Sequence, residues 1–260
     1  MPDRLELKPE NAAAFDPGAD DVFGRIAGRY DVLCDVFSLG LHRLWKQRVA
    51  QLIAAEPWSD MLDAAAGTGA VVRRVIANDA ALQGRRIIVS DISPQMLGIA
   101  RQRTVQSLVP LEFRILDAHA MPSLADASFD LYSISLGLKI CDRRRVLAEA
   151  MRLLKPGGRF IALEASAITW PWLHRQYLRY MGVCMPAIGW LATGGDASAY
   201  RYLLKGVHDF PDAEGLAREM RDVGYADVTF ERLSLGIVAI HMARKPAAPV
   251  ACVEIEDRPA

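Results

Sequence analysis

The chain has 260 residues, 52% of them hydrophobic, which is enough apolar material for one sizeable core in a single globular domain. Its 31 basic and 31 acidic side chains cancel, so no global field would draw it to nucleic acid or to an anionic membrane, which leaves a local charged patch as the alternative. The chain contains no run of about 18 apolar residues, so no membrane span is predicted. The four cysteines stand far apart, without the spacing of a zinc or redox motif, so we expect reduced thiols, no metal site and a cytoplasmic location.

The first features along the chain are a leader and a helical cover. Residues 1–21 are polar and acidic and lack the apolar core of a signal peptide, so we expect a flexible leader. Residues 22–245 then form the single domain. It begins with a cover over 22–58, in which 23–55 have helical character.

From about residue 59, short β-type runs alternate with helix-type runs, a pattern typical of a largely parallel sheet with helices on both faces. The predicted strands are 61–65, 86–90, 111–116, 129–135, 159–164, 226–232 and 237–244. The predicted helices between them are 71–78, 95–107, 143–154 and 212–223. Pro94 suits a first helical turn after a Ser93 cap, and the Lys-Pro-Gly-Gly run at 155–158 should end the helix before it.

The last third of the chain completes this α/β architecture. Only residues 233–236 link the last two strands, so these should form a hairpin that places an antiparallel strand near the end of a seven-stranded, Rossmann-like sheet. Residues 169–207 interrupt the alternation and should form a helical cap over the active-site edge. The tail, 246–260, has proline and acid but no periodicity, so we expect it to be flexible.

A glycine turn, Gly67-Thr68-Gly69, follows the first predicted strand, which contains Asp63. Such a turn lets the backbone approach a ligand closely, in the crevice above the carboxyl ends of the strands. A dinucleotide-binding turn would have a third glycine where this chain has the β-branched Val72, which disfavours NAD. A tight bend without a ligand is the alternative interpretation.

Two further carboxylates end the second and third predicted strands. Asp91 can accept hydrogen bonds from both hydroxyls of a ribose, and Asp117, with the amide of Ala118, can read the polar edge of an adenine. A helix cap and an ordinary turn aspartate are the alternatives for these two carboxylates. Three acidic strand ends in series, Asp63 included, favour a nucleoside site, and the glycine pattern favours S-adenosylmethionine (SAM).

Three motifs carry a family resemblance over residues 22–244. They are YD at 30–31 with SLGLHRLWK at 38–46, RLLKPGGR at 152–159 with EAS at 164–166, and YRYL at 200–203 with GIVAIH at 236–241. On these motifs the chain resembles the UbiE/MenG/COQ5 class of SAM-dependent methyltransferases. That class C-methylates quinol rings in ubiquinone and menaquinone synthesis.

The resemblance implies where SAM binds. The positions that match the family's cofactor motifs are Asp63, Gly67, Thr68, Gly69, Asp91, Ile92, Asp117, Ala118 and Ser135. It also implies that Tyr30 and Lys46, in the N-terminal cover, close over the cofactor. An ordinary amphipathic helix face is the alternative for these two residues.

The departures from the family lie on the acceptor side. After Ser135, the family's arginine and asparagine are replaced by Lys139 and Ile140, so the planar guanidinium with its several N–H donors is lost. Before residue 200, the family's Asn-Asp-Ala-Asp-Ser is replaced by GDASA at 195–199, in which only Asp196 keeps its polar group. The Met-Asn that follows Tyr-Asp-x in the family is Leu33-Cys34 here.

Carbon methylation needs a base or a polarised water near the acceptor ring, because the ring must lose a proton. The candidate residues are Lys139, Asp196, Asp142, His42, Tyr200 and Arg201. Lys139 and Asp196 come first because they occupy the family's polar acceptor-side positions. Structural roles, as surface charges, loop caps or core side chains, are the alternatives for all six.

The sequence therefore predicts a SAM-dependent C-methyltransferase acting on a prenylated quinol or a related hydrophobic ring. An O- or N-methyltransferase of a secondary metabolite or lipid, an enzyme with altered SAM chemistry, and a catalytically silent SAM-binding subunit are the alternatives. The run WPWLHRQYLRY at 170–180 mixes aromatic and basic residues, which suits peripheral membrane contact or a long apolar substrate, although ordinary cap packing is an equal alternative. A homodimer is compatible with these features.

Overall fold

The computed structural model of the protein describes residues 27–77, 84–107, 109–193 and 206–247. Within these ranges it contains one sheet of seven strands, in the order β3-β2-β1-β4-β5-β7-β6. The strands are β1 (Asp60–Ala64), β2 (Arg86–Asp91), β3 (Leu111–Ile115), β4 (Phe129–Ser135), β5 (Leu154–Ala165), β6 (Ala226–Leu233) and β7 (Val238–Arg244). The leader at 1–21 and most of the tail lie outside the described residues.

The longer helices lie between these strands and before them. They are α1 (Tyr30–Ser38), α2 (Leu41–Ala54), α3 (Ala70–Ile76), α4 (Pro94–Arg103), α5 (Arg143–Leu153), α6 (Pro171–Thr193) and α7 (Ala213–Val223). None of the helices in the described part of the chain combines the length and the apolar character that a membrane crossing requires.

The sheet has a separate hydrophobic core on each face, as the alternation of side chains along its strands requires. Met61 and Leu131 face a core that contains Val49 of α2 and Val72 of α3. The neighbouring strand residues Leu62 and Ile134 face the other core, which receives side chains from α5 and α7. This arrangement confirms the predicted Rossmann-like α/β fold, with the site edge at the carboxyl ends of the parallel strands.

The antiparallel strand near the end of the sheet is also confirmed. β7 pairs antiparallel with both β5 and β6, so the last strand in sequence inserts between two earlier ones and leaves β6 at the edge. A short 3₁₀ turn, Ser234–Gly236, makes the link between β6 and β7.

Three boundaries differ from the prediction for local reasons. The cover is broken between α1 and α2, where Leu39 and Gly40 both have positive φ, at 50° and 79°. Helix α4 ends at Arg103, not 107, because Thr104 leaves helical geometry and its hydroxyl donates to the carbonyl of Ala100 at 2.9 Å.

The run at 155–158 was predicted to separate α5 from a strand beginning at residue 159. That prediction was wrong. Leu154 is already extended, with φ −70° and ψ 138°, and it pairs with Phe129 of β4. The whole run therefore belongs to β5, with a register shift that accommodates the glycines. Gly158 is required there, since a Cβ would lie 2.7 Å from the carbonyl oxygen of Lys155.

Candidate active site

The glycine turn lies at the carboxyl end of β1, between that strand and α3. Gly67 and Gly69 both have positive φ, at 56° and 72°, which only glycine adopts without strain. A Cβ on Gly69 would lie 2.9 Å from the Cβ of Ala100, so this glycine lets α3 and α4 pack closely. A Cβ on Gly67 would meet no atom within 4 Å, so open space suited to a ligand remains beside the turn.

Asp91, the last residue of β2, fastens the glycine turn to the second strand. One carboxylate oxygen accepts the Gly67 N–H at 2.8 Å, and the other accepts the Ser93 N–H at 2.9 Å. The side chain of Ser93 also caps α4, accepting from the Met96 N–H. The cap role and the ligand role of Asp91 are therefore compatible, because a carboxylate oxygen can accept more than one hydrogen bond. Ile92 follows directly and is half-buried.

Asp63 lies in β1 beneath the turn, where its side chain is only 1% exposed. Its carboxylate accepts the hydroxyl of Ser133 on β4 at 2.5 Å. Burial raises the pKa of Asp63 to about 7, although the Ser133 hydrogen bond and the charge of Lys46 oppose that shift. This carboxyl is thus poised between two protonation states at neutral pH, and a nearby cation would favour its charged form.

Asp117 follows β3 and is held in place by His119, which the sequence analysis did not identify. The Nδ1 atom of His119 lies 2.6 Å from an oxygen of Asp117, and the backbone N–H of His119 donates to the same oxygen at 2.9 Å. The hydrogen bond from the imidazole lowers the pKa of the Asp117 carboxyl. On its other side, the ring accepts the Asp142 N–H through Nε2 at 2.9 Å. Ala118 is buried next to this network.

Ser135 ends β4, beside the glycine turn in the sheet order. Its hydroxyl oxygen is buried, and it has no hydrogen-bond partner among the residues that the structure describes. An unsatisfied buried hydroxyl costs about 1–3 kcal/mol, and a polar ligand group at this edge would remove that cost.

The N-terminal cover is tied to the turn by an ion-pair network that only the fold reveals. The hydroxyl of Thr68 donates to Asp31 of α1 at 2.9 Å, and Asp31 also pairs with Arg103 of α4. The hydrogen bond from Arg103 and the bond from Thr68 outweigh burial and lower the pKa of Asp31. Asp31 therefore connects α1 to the glycine turn and to α4. In the sequence it stood out only as part of a motif.

Lys46 of α2 is buried near this ion-pair network, with 6% of its surface exposed. Its ammonium has no hydrogen bond or ion pair within 4 Å to any described residue, and burial lowers its pKa. Cys34 and the carboxylate of Asp31 oppose this lowering of the pKa. Tyr30, hydrogen-bonded to Cys34, lies on the same side, and interaction with that thiol together with burial raises the pKa of its phenol. A buried, unpaired ammonium is suited to an anionic ligand group.

An apolar cavity of about 260 Å³ adjoins this edge, between the cover, the end of β4 and the cap helix α6. It begins where Leu136 and Lys139 follow Ser135. Its other walls include Tyr30, Cys34, His42, Tyr177, Met181 and Val238. The size and lining suit an aromatic ring with an apolar substituent.

Two of the predicted acceptor-side residues line this cavity. The ammonium of Lys139 lies 3.8 Å from a carboxylate oxygen of Glu164 and donates to the carbonyl of Leu136. Glu164 is fully buried and also accepts the N–H groups of Leu138 and Ala165, at 2.6 and 3.2 Å. Lys139 is therefore a paired, positioned ammonium that can donate hydrogen bonds. The other, His42, is buried and hydrogen-bonded to Ser38.

The remaining candidate bases are distributed differently. Asp142 is exposed, and its carboxylate caps α5 by accepting the Arg145 N–H at 3.2 Å, which matches the loop-cap alternative. Asp196, Tyr200 and Arg201 lie outside the described residues, so their roles stay predictions.

Comparison with known proteins gives relatives over nearly the whole described fold. The model of the ubiE/COQ5 methyltransferase family matches residues 12–245. A "Ubiquinone/menaquinone biosynthesis C-methyltransferase UbiE" of Acidiphilium cryptum is 40% identical over 224 residues, which cover 85% of this chain and 88% of that protein. A SAM-dependent methyltransferase structure from Thermotoga maritima has a TM-score of 0.59 at 20% identity, covering 86% of this chain and 98% of that one. A phosphoethanolamine N-methyltransferase of Haemonchus contortus, solved with SAM, has a TM-score of 0.54 at 18% identity over 78% of this chain and 53% of that one.

Proposed function

The chain belongs to the ubiE/COQ5 methyltransferase family, and from this premise we propose that it uses SAM to methylate a ring carbon of a hydrophobic quinol. The family membership confirms the resemblance inferred from the sequence and makes the protein a methyltransferase. One observation carries the proposal. An apolar cavity lies directly beside the strand-end edge that holds the unpaired Lys46 and Ser135 groups.

The polar edge fits the chemical groups of SAM. The unpaired ammonium of Lys46 suits the carboxylate of the methionine moiety, and the orphaned hydroxyl of Ser135 suits one of its polar atoms. Asp91 suits the ribose hydroxyls, beside the open space at Gly67. Asp117 and Ala118, held by His119, suit the adenine edge. SAM bound there would supply a methyl group on a positively charged sulfur, an activated leaving group that asks for alignment more than for side-chain chemistry.

The apolar cavity fits the acceptor. Tyr177 and Met181 of α6 and Val238 of β7 provide ring-sized apolar walls. The ammonium of Lys139, paired with Glu164, would stabilise negative charge on a ring oxygen. The curated relatives are named for ubiquinone and menaquinone biosynthesis, which supports a prenylated quinol as the acceptor.

Exposed apolar side chains on the cover and the cap helix support peripheral membrane contact as part of the same proposal. Leu39 is 81% exposed, Leu44 66%, Trp172 63% and Val183 71%, all on the cover or the cap helix. A membrane surface would both cover these side chains and deliver a polyprenyl substrate. Flotation of the purified protein with anionic vesicles tests this contact, and protein that stays at the bottom of the gradient at low salt would contradict it.

One observation favours a different acceptor as a second candidate. Ile140, where the family has asparagine, packs with Phe37, Tyr177 and Met181 in an apolar cluster. A polar side chain of the family is therefore replaced here by apolar packing on the proposed acceptor side. An O- or N-methylated product would follow if this change redirected the reaction.

Titration calorimetry with SAM followed by transfer from methyl-labelled SAM tests the proposal in two steps. We expect SAM to bind and the label to enter a prenylated quinol that lacks the ring methyl group. Absence of SAM binding by folded protein would overturn the cofactor assignment. SAM binding with label entering only O- or N-methylated products would favour the second candidate.

A further inference from the structure

His42 has one ring nitrogen engaged by Ser38, the other has no hydrogen-bond partner among the described residues, and the ring lines the acceptor cavity. The hydroxyl of Ser38 donates to the carbonyl of Cys34 at 2.6 Å, so its proton is already used. The same oxygen lies 2.9 Å from Nδ1 of His42 and 3.2 Å from the His42 backbone nitrogen, and it must accept at both contacts. The Nδ1 atom therefore carries the proton.

A second group favours the same tautomer. A carboxylate oxygen of Asp35 lies 3.6 Å from Nδ1 and attracts a proton there. In a neutral imidazole with its proton on Nδ1, the lone pair is on Nε2. None of the described residues forms a hydrogen bond to Nε2, and the ring lines the cavity in which Lys139 also lies.

We propose that Nε2 of His42 accepts the proton of the acceptor's ring hydroxyl during methylation, while Lys139 stabilises the ring oxygen. This assignment rests on the proposed function. It changes the order of the sequence-based candidates, in which Lys139 and Asp196 came first. Lys139 is paired with Glu164 and serves as a donor, so the neutral imidazole is the better acceptor of a proton.

The proton and electron changes balance between these two residues, the acceptor, the methyl donor and water. The ring O–H bond breaks, its proton moves to Nε2, and the freed electron pair passes through the ring to the carbon that forms the new C–C bond. The electron pair of the broken S–C bond would stay with the sulfur of SAM. The methylated carbon then releases its hydrogen as a proton to water, and His42 returns its proton to the ring oxygen, which restores the aromatic hydroxyl.

The charges around His42 keep its imidazole neutral. Because the same charges make it a weak base, the proton transfer depends on Lys139 stabilising the ring oxygen as the proton leaves. Burial and the ammonium of Lys46 lower its pKa to about 4, whereas Asp35 and Asp31 oppose this shift and Arg43 supports it. Lys139 lines the same cavity. The imidazole is therefore neutral from about pH 5 upwards, and turnover should lack the inflection near pH 6.5 that an ordinary histidine base gives.

His42→Asn is the sharpest variant, because the asparagine amide N–H can replace the Nδ1–H bond to Ser38 while Nε2 is lost. We expect kcat for a demethylated prenylated quinol to fall roughly 10²- to 10⁴-fold, with SAM affinity and melting temperature nearly unchanged. Retained kcat in this variant, with wild-type protein active, would overturn the role of His42. Wild-type protein that binds SAM but methylates no quinol would instead overturn the proposed function.

Nitrogen-15 NMR of the imidazole provides a readout that needs neither SAM nor turnover. Wild-type protein should show a single tautomer protonated at Nδ1 down to about pH 5. Addition of the demethylated quinol alone should shift the Nε2 resonance, because a ring hydroxyl then donates to it. Ser38→Ala should give mixed tautomers and a smaller loss of kcat than His42→Asn. A proton on Nε2 in the wild type, or an Nε2 resonance that the quinol does not move, would overturn the assignment.

Discussion

Replacing Asp63 with asparagine should remove a large part of the pH dependence of folding. Burial raises the pKa of this carboxyl from its ordinary 3.8 to about 7. The folded protein therefore holds the proton more tightly than the unfolded chain does, and its stability falls as pH rises from about 4 to about 7. At about 1.36 kcal/mol for each pKa unit, the three-unit difference amounts to about 4 kcal/mol of unfolding free energy.

Urea denaturation at a series of pH values measures this effect. The free energy of unfolding of wild-type protein minus that of Asp63→Asn isolates the contribution of the carboxyl from other titrating groups. We expect this difference to decline by up to about 4 kcal/mol between about pH 4 and pH 7 and to be level above that range. Asp222→Asn, at an exposed position of α7, is the matched control and should leave the wild-type profile unchanged.

Parallel pH profiles for wild-type and Asp63→Asn proteins would refute the burial argument. The Ser133 hydrogen bond opposes protonation of Asp63, so Ser133→Ala should move the inflection to higher pH. SAM carries positive charge, so its binding near pH 7 should release a proton from Asp63. Calorimetry in two buffers of different ionisation enthalpy detects that proton, and identical heats in both buffers would count against a cation beside this carboxyl.

Four further substitutions probe the cofactor edge. Asp91→Ala should weaken SAM binding by about 2–4 kcal/mol in calorimetry, because two charge-assisted hydrogen bonds to the ribose are lost, and unchanged affinity in a folded variant would refute that role. Gly69→Ala should lower the free energy of unfolding by roughly 1–3 kcal/mol, because the new Cβ would lie 2.9 Å from Ala100. At Gly67 a Cβ would meet no atom within 4 Å, so Gly67→Ala should lower the free energy of unfolding less but weaken SAM binding more. Equal losses of stability in the two variants would contradict this distinction. Lys46→Met should stabilise the ligand-free protein to urea by removing a buried unpaired charge and weaken SAM binding by about 1.5–3 kcal/mol, an outcome that a merely structural lysine would not give.

The sequence predicted the sheet well because strand signals are local. The alternation of apolar runs and the turn residues placed all seven strands, and the short link 233–236 identified the terminal hairpin. The start of β5 was wrong because pairing of Leu154 with Phe129 is a tertiary contact that overrides the turn character of Lys-Pro-Gly-Gly. The break at Leu39 and Gly40 also depends on the packing of α1 against α2.

The candidate site was predictable where the residue type and its position after a strand were enough to indicate a role, as for the strand-end aspartates and the turn glycines. Asp63, Asp91 and the two glycines lie as expected, although their contacts with SAM stay predictions. Partners from distant elements could not be read from the sequence. Glu164 reaches Lys139 only because β5 lies beside β4, and Asp31 reaches Thr68 only because α1 folds over the turn. His119, two residues after Asp117, followed a recognisable turn signal that could have been used.

The atom that receives the methyl group tests the central claim most directly. The purified protein would be incubated with SAM carrying a carbon-13 methyl group and a prenylated quinol that lacks the ring methyl, and the product examined by mass spectrometry and carbon NMR. A single labelled methyl bonded to a ring carbon is the predicted result. A label on oxygen or nitrogen, or no labelled product from protein that binds SAM, would contradict quinol C-methylation.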